Sequence, residues 1–384
     1  MTRTRGWATL FVMGTGLFVV SPLLPSIAKD FAISEGAAGW TITVFAFTYI
    51  VVGPRLGSLA DRYGPRTVLV AGLGVFAAAN LAIGLAPDFS VLLLCRAVAG
   101  LAAAGVTPSV YALVGANAPE GRQATWMAVI TSGLLVALGV GAPSGALLSS
   151  TLGWHGAFLC VAGLAAAVLA VELRQAGDAR PVRSRPRQLG NAGLTRTISA
   201  VSITGLWAIA VYGLYTYLGV GLAEIARLPP TVIAIAFAVY GAGAVAGNLL
   251  GGVLADRYGG LRVTVVSLVA LAAVEALFGG VINQSPALLV VVLGLFALAA
   301  YPYFAAHQVR LLANFPDASG AVLAWNNTAL YGGILVGSAV GGHFLTVTSF
   351  SVLAWSLCSA AVIGALATRR AIPSRPRLDA TPPA

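Results

Sequence analysis

The stretch GSLADRYGPRTVL, residues 57–69, places one aspartate and two arginines in an otherwise apolar region. A closely similar stretch, GGVLADRYGGLRVTV, occupies residues 251–265 and aligns Asp256 with Asp61. The two copies lie 195 positions apart in a chain of 384 residues, so the second copy begins about half a chain after the first. The repeat predicts that the protein consists of two related halves.

The composition excludes an ordinary soluble protein. Hydrophobic residues make up 58% of the chain and charged residues 9%, with a mean hydropathy of +0.90. Soluble domains carry roughly 25% charged residues. Apolar runs of about 20 residues, the length of a helix that crosses ~30 Å of hydrocarbon, recur along the whole chain. The class is therefore an all-α polytopic membrane protein.

Apolar runs separated by glycine, proline and charged residues predict twelve membrane spans. They lie near residues 7–27, 38–58, 67–86, 90–114, 124–149, 155–174, 197–219, 230–250, 262–282, 286–306, 320–344 and 350–368. The expected domains are a six-helix bundle at 1–174, a linker at 175–196, a second six-helix bundle at 197–368 and a tail at 369–384. The linker is rich in Arg, Gly and Pro, a composition typical of a flexible surface segment.

The basic residues predict the orientation. If the N-terminus is cytoplasmic, 19 of the 22 Lys and Arg residues fall in cytoplasmic segments. Only Lys29 and Arg227 fall on the other side, and Arg96 falls within a span. Such an excess satisfies the positive-inside rule. We therefore expect both termini, the linker and both copies of the motif on the cytoplasmic side of a bacterial inner membrane.

Paired glycines mark two corresponding spans. GVGAPSGALL in the fifth span carries Gly141 and Gly145, and VGSAVGGHFL in the eleventh carries Gly337 and Gly341. Small residues four apart share one helix face and allow a second helix to approach closely. We interpret these four glycines, together with Pro143, as helix-packing residues.

These features together resemble the major facilitator superfamily of transporters over essentially the whole chain. The opening stretch resembles motif A of that family, with Gly57, Asp61, Arg62, Gly64 and Arg66 in register. The second copy matches it at Gly252, Asp256, Arg257, Gly259 and Arg262. The resemblance implies two pseudo-symmetric six-helix bundles and secondary active transport by alternating access.

Three further segments resemble motifs of proton-driven branches. LLLCRAVAGLAAAG, residues 92–105, resembles motif B with Arg96 and Gly100 matching. GVGAPSGALL resembles a degenerate motif C, the antiporter signature, with alanine in place of two glycines. GWHGAF, residues 153–158, resembles a segment of drug:proton antiporters with His155 where Arg is usual. The resemblance is to the drug:proton antiporter and sugar-efflux-like branch.

The charges of motif A predict a gate. Asp61 and its arginines are able to hydrogen bond to each other. A carboxylate also interacts favourably with the positive N-terminal end of a helix. We expect Asp61 to contact the eleventh span near Ser319 and Gly320, and Asp256 to contact the fifth near Gly121. The alternative is that these are solvated loop charges that set topology alone.

Three ionisable residues are candidates for transport and coupling. Arg96 lies about 9 Å into the fourth span, where an arginine costs at least ~2.5 kcal/mol without water or a partner. It contacts the substrate, water or a proton site, or else its side chain snorkels to the outer headgroups. Glu275 is the one acid deep in a span, although the resemblance implies a peripheral ninth helix. Asp30, just beyond the first span, is the remaining carboxylate candidate in the N-terminal half.

Six polar side chains are candidates for the substrate cavity. Tyrosine combines an apolar ring with one hydrogen-bonding group, which suits flat amphiphilic ligands, although packing of the rings alone is equally compatible. The candidates are Tyr212, Tyr215, Tyr240, Tyr301, Asn327 and Tyr331.

The sequence predicts a proton-coupled antiporter that exports a small hydrophobic or amphiphilic compound. The alternative within the fold is a proton symporter that imports a small metabolite. An intramembrane enzyme is disfavoured because the sequence contains no G-x-S-x-G, no H-E-x-x-H and no Cys/His metal spacing. We expect no catalytic residue, cofactor, metal or nucleic-acid partner. The expected partners are a small molecule, protons and the lipid bilayer, and the expected state is a monomer.

Overall fold

The computed structural model describes residues 1–20, 23–33, 35–175, 191–220, 222, 226–281 and 284–371. Within these ranges it describes the stretch 140–151 as backbone alone. The greater part of the predicted linker and of the predicted tail lies outside the described residues. The domain boundaries at 175–196 and 369–384 therefore stay predictions.

The described chain folds into fourteen α-helices and a short 3-10 turn at Pro316–Ala318. The helices of the N-terminal half are α1 (Arg3–Phe18), α2 (Leu24–Asp30), α3 (Glu35–Ala38), α4 (Trp40–Tyr63), α5 (Pro65–Gly84), α6 (Phe89–Asn117) and α7 (Gln123–Arg174). Those of the C-terminal half are α8 (Asn191–Val220), α9 (Pro230–Tyr258), α10 (Gly260–Val281), α11 (Pro286–Ala300), α12 (Pro302–Asn314), α13 (Ser319–Val347) and α14 (Phe350–Ala371).

The helices are suited to lipid. Among the described residues, nine helices are long and apolar enough to cross a membrane, and Gln123–Gly139 is a shorter apolar helix. Large apolar side chains such as Phe47, Val266 and Leu335 expose about two thirds of their surface. Apolar surface of this extent faces hydrocarbon in a membrane protein and would be unfavourable in water. The prediction of an all-α polytopic membrane protein is confirmed.

Two predicted spans each consist of two helices, and two others meet at a kink. The first span is not one helix over 7–27, because α1 ends at Phe18 and α2 begins at Leu24. The tenth span divides at Pro302, where α11 gives way to α12. Proline has no backbone N–H and its ring clashes with the preceding turn, so it interrupts a helix. The fifth and sixth spans meet within α7 at a kink at Gly153 (φ 68°, ψ 173°), which lies between their predicted ends at 149 and 155.

Helices α4 and α9 extend further than predicted. They continue to Tyr63 and Tyr258, so Asp61 and Asp256 lie in the last helical turn, whereas Arg66 and Arg262 lie at the start of the next helix. The chain then reverses at Gly64 (φ 89°) and Gly259 (φ 87°). Only glycine adopts such positive φ values without steric cost. The same reversal in each half preserves the repeat at the level of the backbone.

The two halves meet through related helix pairs. Within the first half α1 packs on α7, and α4 and α5 pack on α6. Within the second half α8 packs on α13, α9 on α11 and α10 on α14. Across the halves α4 packs on α13, and α7 packs on α9. These two cross-half pairs correspond under the repeat, because α4 matches α9 and the first part of α7 matches α13.

Candidate functional site: the gate and the central cavity

Asp61 bridges the two halves. It lies in the last turn of α4, and its Oδ1 accepts a hydrogen bond of 2.8 Å from the backbone N–H of Gly320. Its Oδ2 accepts a second bond of 2.9 Å from the N–H of Ala321. These amides belong to the first turn of α13, where backbone N–H groups have no partner within the helix and the helix dipole is positive. The carboxylate therefore caps a helix of the opposite half.

Asp256 makes the corresponding contact in the other direction. Its Oδ1 accepts from the N–H of Ala124 and its Oδ2 from the N–H of Thr125, each at 2.8 Å. These amides open α7, which begins at Gln123. Both predicted aspartate contacts are confirmed. We call the two contacts the aspartate clamps, and the end of the molecule that carries them the motif A end.

A glycine one turn before each aspartate allows the helices to approach. A Cβ on Gly57 would lie 2.5 Å from the carbonyl oxygen of Gly320. A Cβ on Gly252 would lie 2.7 Å from the carbonyl oxygen of Ala124. Real Cβ atoms do not approach so closely, so a side chain at either position would force the two helices apart.

Arginines of motif A contact aromatic rings or a backbone carbonyl and not the aspartates. Arg62 lies over the ring of Tyr63, 5.2 Å from its centroid, and Arg257 lies over Tyr258 at 5.3 Å. Arg66 donates a hydrogen bond of 2.8 Å to the backbone carbonyl of Glu172 in its own half. The expectation that Asp61 and its arginines hydrogen bond to each other is therefore wrong. The helix amides occupy both oxygens of the carboxylate.

Arg262 departs from the repeat. The position that corresponds to Arg66 carries Leu261, so Arg262 is displaced by one residue along α10. Its side chain is exposed and borders a groove of about 440 Å³ on the outer surface. The second copy of the motif consequently lacks the arginine anchor of the first.

Arg96 is buried in the N-terminal half. Its Nε donates to the carbonyl of Thr41 at 3.0 Å, and its Nη1 donates to the carbonyl of Gly16 at 3.1 Å. The guanidinium lies 4.6 Å from the ring centroid of Phe45. Its Nη2 has no hydrogen-bond partner among the described residues. Because the side chain is fully buried, the snorkelling alternative does not apply.

Asp30 lies at the end of α2, opposite the motif A end. Its Oδ2 accepts a hydrogen bond of 2.7 Å from the indole Nε1 of Trp154. Trp154 is fully buried and directly follows the kink at Gly153. The contact connects the segment GWHGAF with the end of the first predicted span.

Glu275 is fully buried on α10, and neither carboxylate oxygen has a hydrogen-bond partner among the described residues. Nearby, the indole N–H of Trp355 on α14 donates a hydrogen bond of 3.0 Å to the carbonyl of Ala276. Glu275 is not among the residues that line the cavity described next.

A small cavity of about 30 Å³ lies between the halves, with room for no more than one or two water molecules. Aromatic and hydroxyl-bearing side chains form much of its wall. Its lining residues are Met13, Leu17, Phe45, Tyr49, Ala103, Thr107, Tyr111, Leu134, Phe304, Asn327, Leu330 and Tyr331. Of the six cavity candidates, Asn327 and Tyr331 are among them.

The other four candidates form an aromatic cluster in the C-terminal half. Tyr240 and Tyr301 share a hydrogen bond of 3.2 Å between their hydroxyls. Tyr215 packs on Tyr240 with ring centroids 5.0 Å apart, and Tyr212 packs edge-on against Trp207 at 6.0 Å. In this conformation these rings pack on each other and do not line the cavity between the halves.

The packing glycines are described in one half. A Cβ on Gly337 would lie 2.9 Å from the carbonyl of Ile209, and one on Gly341 would lie 3.0 Å from the carbonyl of Gly213. These contacts bring α13 against α8, as the small-residue spacing predicts. Gly141, Pro143 and Gly145 lie in the stretch 140–151, outside the described side chains.

Sequence reasoning missed three residues. Tyr49 pairs with Tyr331 across the halves, with ring centroids 4.5 Å apart. The hydroxyl of Tyr111 lies 3.0 Å from that of Thr131, and Trp207 organises the aromatic cluster. Their signal in the sequence is a single amphipathic aromatic residue within an apolar helix, which ordinary packing produces equally often.

A duplicated all-α membrane architecture, with two clamps joining its halves around a central cavity, defines a polytopic membrane transporter. The sequence model of the Major Facilitator Superfamily matches residues 6–223 and again residues 192–384. The chain belongs to this superfamily, and the predicted resemblance is confirmed. It is therefore a transporter of small molecules and not an enzyme.

Two bacterial proteins are among those with similar sequences. The inner membrane transport protein YdhP of Escherichia coli (strain K12) is 31% identical over 350 residues, covering 88% of this chain and 86% of its own. The chloramphenicol resistance protein of Streptomyces lividans is 34% identical over 251 residues, covering 64% of each chain.

Solved structures share the fold. The human organic anion transporter MFSD10 (TETRAN) superposes with a TM-score of 0.80 at 15% identity, covering 96% of this chain and 99% of its own. The transporter FucP in its outward conformation superposes with a TM-score of 0.76 at 11% identity, covering 97% and 99%. At these identities the likeness concerns the fold alone.

Proposed function

We propose that the protein is a proton-coupled antiporter that exports a small hydrophobic or amphiphilic compound by alternating access. The observation that carries the proposal is the pair of aspartate clamps beside a small cavity between the halves. Clamps made of charge-assisted hydrogen bonds are strong enough to hold one end shut, yet few enough to break when the halves rock. The resemblance to motifs B and C supports proton coupling and antiport.

The proposed gate operates at the motif A end. With both clamps formed, the cavity is separated from that end, and loss of the clamps allows α4 to move from α13 and α9 from α7. The proposed orientation places this end and both termini in the cytoplasm, in agreement with the distribution of basic residues. An introduced cysteine at Glu120, which is exposed at this end, tests the orientation. It should react with a membrane-impermeant maleimide only in everted vesicles.

The proposed roles of the ionisable residues follow their positions. Arg96 couples substrate binding to proton binding through its charge, because the buried guanidinium lies behind the cavity wall. Asp30 and Glu275 are the candidate proton carriers of the two halves. Export is supported further by the name of one relative, the chloramphenicol resistance protein.

Transport into proteoliposomes under an imposed pH gradient tests the proposal, with chloramphenicol as the first probe. The wild type should accumulate the probe when the gradient matches antiport. Arg96→Ala should abolish the gradient-driven component, and Arg96→Lys should restore it in part, because an ammonium cannot replace a planar guanidinium.

The matched control is Arg55→Gln, since Arg55 is exposed and, among the described residues, hydrogen bonds to the Val51 carbonyl of its own helix. It should retain wild-type transport. Accumulation with the opposite gradient would instead identify a symporter that imports its substrate. Full gradient-driven transport by Arg96→Ala would exclude the proposed role of Arg96.

A further inference from the structure

The cavity between the halves carries an unsatisfied hydrogen-bond donor. Asn327 on α13 is 3% exposed and borders the cavity, and its Nδ2 faces the Tyr49 hydroxyl but completes no hydrogen bond with the described residues. An amide nitrogen supplies two N–H donors and no acceptor. Leaving such a buried group without a partner costs roughly 1–3 kcal/mol. A ligand group that accepts a hydrogen bond would recover this energy.

A positive charge lies behind the same wall. Arg96 uses two of its three nitrogens on backbone carbonyls, and among the described residues no carboxylate pairs with it. Tyr331, whose hydroxyl belongs to the same wall, borders the cavity one helical turn from Asn327. The guanidinium of Arg96 lies 4.6 Å from the ring centroid of Phe45, another wall residue. In a low-dielectric interior, such a charge favours an anion or the negative end of a dipole and repels a cation.

Aromatic rings form the remaining walls. The rings of Tyr49 and Tyr331 lie 4.5 Å apart at 47°, one from each half, and Phe45 and Phe304 border the same space. Offset and tilted rings attract a further aromatic ring inserted beside them. Since Tyr49 and Tyr331 come from opposite halves, a ring between them would contact both halves as they separate.

We propose that Asn327 and Tyr331, with the charge of Arg96 behind the wall, form a donor subsite that binds an aromatic substrate through a hydrogen-bond acceptor. The acceptor is a carbonyl, nitro, carboxylate or sulfonate group, so the substrate is neutral or anionic. The subsite discriminates against organic cations. This inference rests on the proposed transport function, because it assigns the substrate class to the cavity of that transporter.

The test compares two fluorescent probes that share one tricyclic ring system, anionic fluorescein and cationic rhodamine 123. Binding to the purified full-length protein is measured by fluorescence anisotropy, with empty detergent micelles subtracted. Wild type should bind fluorescein at least tenfold more tightly than rhodamine 123. Asn327→Ala should weaken fluorescein binding by about tenfold, the effect of one lost hydrogen bond to a charged group.

Asn327→Asp converts the donor into an acceptor and should reverse the preference, so that rhodamine 123 binds more tightly than fluorescein. Asn327→Leu, similar in volume, serves as the second variant if the buried carboxylate prevents folding, and should lose fluorescein binding. The matched control is Asn117→Asp, the same chemical change at an exposed residue near the end of α6. It should keep the wild-type preference.

Three results would overturn the subsite. They are tighter wild-type binding of rhodamine 123, binding of neither probe by the wild type, and an unchanged preference in every folded Asn327 variant. The measurement needs no proton gradient and no direction of transport. A failure of proton-driven export with the expected binding pattern would therefore reject the proposed function and leave the subsite standing.

Discussion

The two aspartate clamps share a geometry but differ in what surrounds them. In each, a carboxylate at the end of one helix receives two N–H groups from the first turn of a helix in the other half. Two turns earlier, however, the first half carries Gly53 where the second carries Asn248. Asn248 donates a hydrogen bond of 2.6 Å to the carbonyl of Ala128 across the halves. Near the first clamp a bond between the halves runs in the opposite sense, from the Thr328 hydroxyl of α13 to the carbonyl of Ile50 on α4, and measures 3.4 Å.

The shared and the differing parts have different consequences. Each clamp consists of an aspartate and a glycine one turn before it, and a reversible separation of the halves requires both. The bond of Asn248, which is shorter than that of Thr328, strengthens only the α7–α9 contact. We therefore expect the α4–α13 contact to be the weaker of the two and the first to open.

The largest effect is expected from removing both clamp charges. The double variant Asp61→Asn with Asp256→Asn loses the charge and one good acceptor at each site, roughly 3–6 kcal/mol in total at ~1.5–3 kcal/mol per charged hydrogen-bonded contact. The motif A end should open in most molecules. Spin labels at Glu120 and Ala313, which are exposed on opposite halves at that end, would report longer distances.

The control for this variant is Asp88→Asn. Asp88 also caps a helix, accepting 2.9 Å from the N–H of Val91, but it does so within its own half. It should leave the distance distribution unchanged. An unchanged distribution in the double variant would show that the clamps do not hold this end shut.

A steric change at the first clamp should have the next largest effect. In Gly57→Ala the new methyl group would lie 2.5 Å from the carbonyl oxygen of Gly320, so α13 must move away. Overpacking of this kind costs about 1–3 kcal/mol and should favour the open end. Gly163→Ala, where a Cβ meets nothing within 4 Å, is the matched control for the same distance measurement.

The single aspartate variants test the asymmetry directly. Asp61→Asn should open the motif A end more than Asp256→Asn, because the bond from Asn248 remains in the second case. The difference should be about 1 kcal/mol, the net value of one hydrogen bond. Adding Asn248→Leu to Asp256→Asn should abolish this difference in opening. Equal opening by the two single variants would remove the proposed order of opening.

The smallest effect is expected at Arg66. Its bond to the Glu172 carbonyl joins α5 to α7 inside one half, beside the ion pair of Arg5 with the Glu172 side chain. Arg66→Gln should lower thermal stability by no more than ~1 kcal/mol and should not change the distance between the halves. Arg262→Gln, at an exposed residue, should change neither quantity. Opening of the gate by Arg66→Gln would show that the anchor belongs to the gate.

The contacts of the two aspartate clamps could be predicted because their partners, the first turns of helices, are recognisable in the sequence. Asp61 and Asp256 find helix N-termini, and a helix start is recognisable where glycine or serine precedes an apolar run. The repeat then pairs each motif with the corresponding helix of the other half. For this reason the sequence indicated the two clamps, although the predicted spans ended at residues 58 and 250, before the aspartates.

The sequence by itself determined the membrane class, the duplication and the family, because each depends on composition, apolar length or the order of residues along the chain. Only the tertiary structure decided that Arg96 binds the carbonyls of Thr41 and Gly16, and that Asn327 and Tyr331 line the cavity while Tyr212 packs in a separate cluster. Membrane helices are apolar on the lipid face as well as on the packed face, so hydrophobic periodicity says little about which side chains point inward. That choice is made by the packing of helices distant in the sequence.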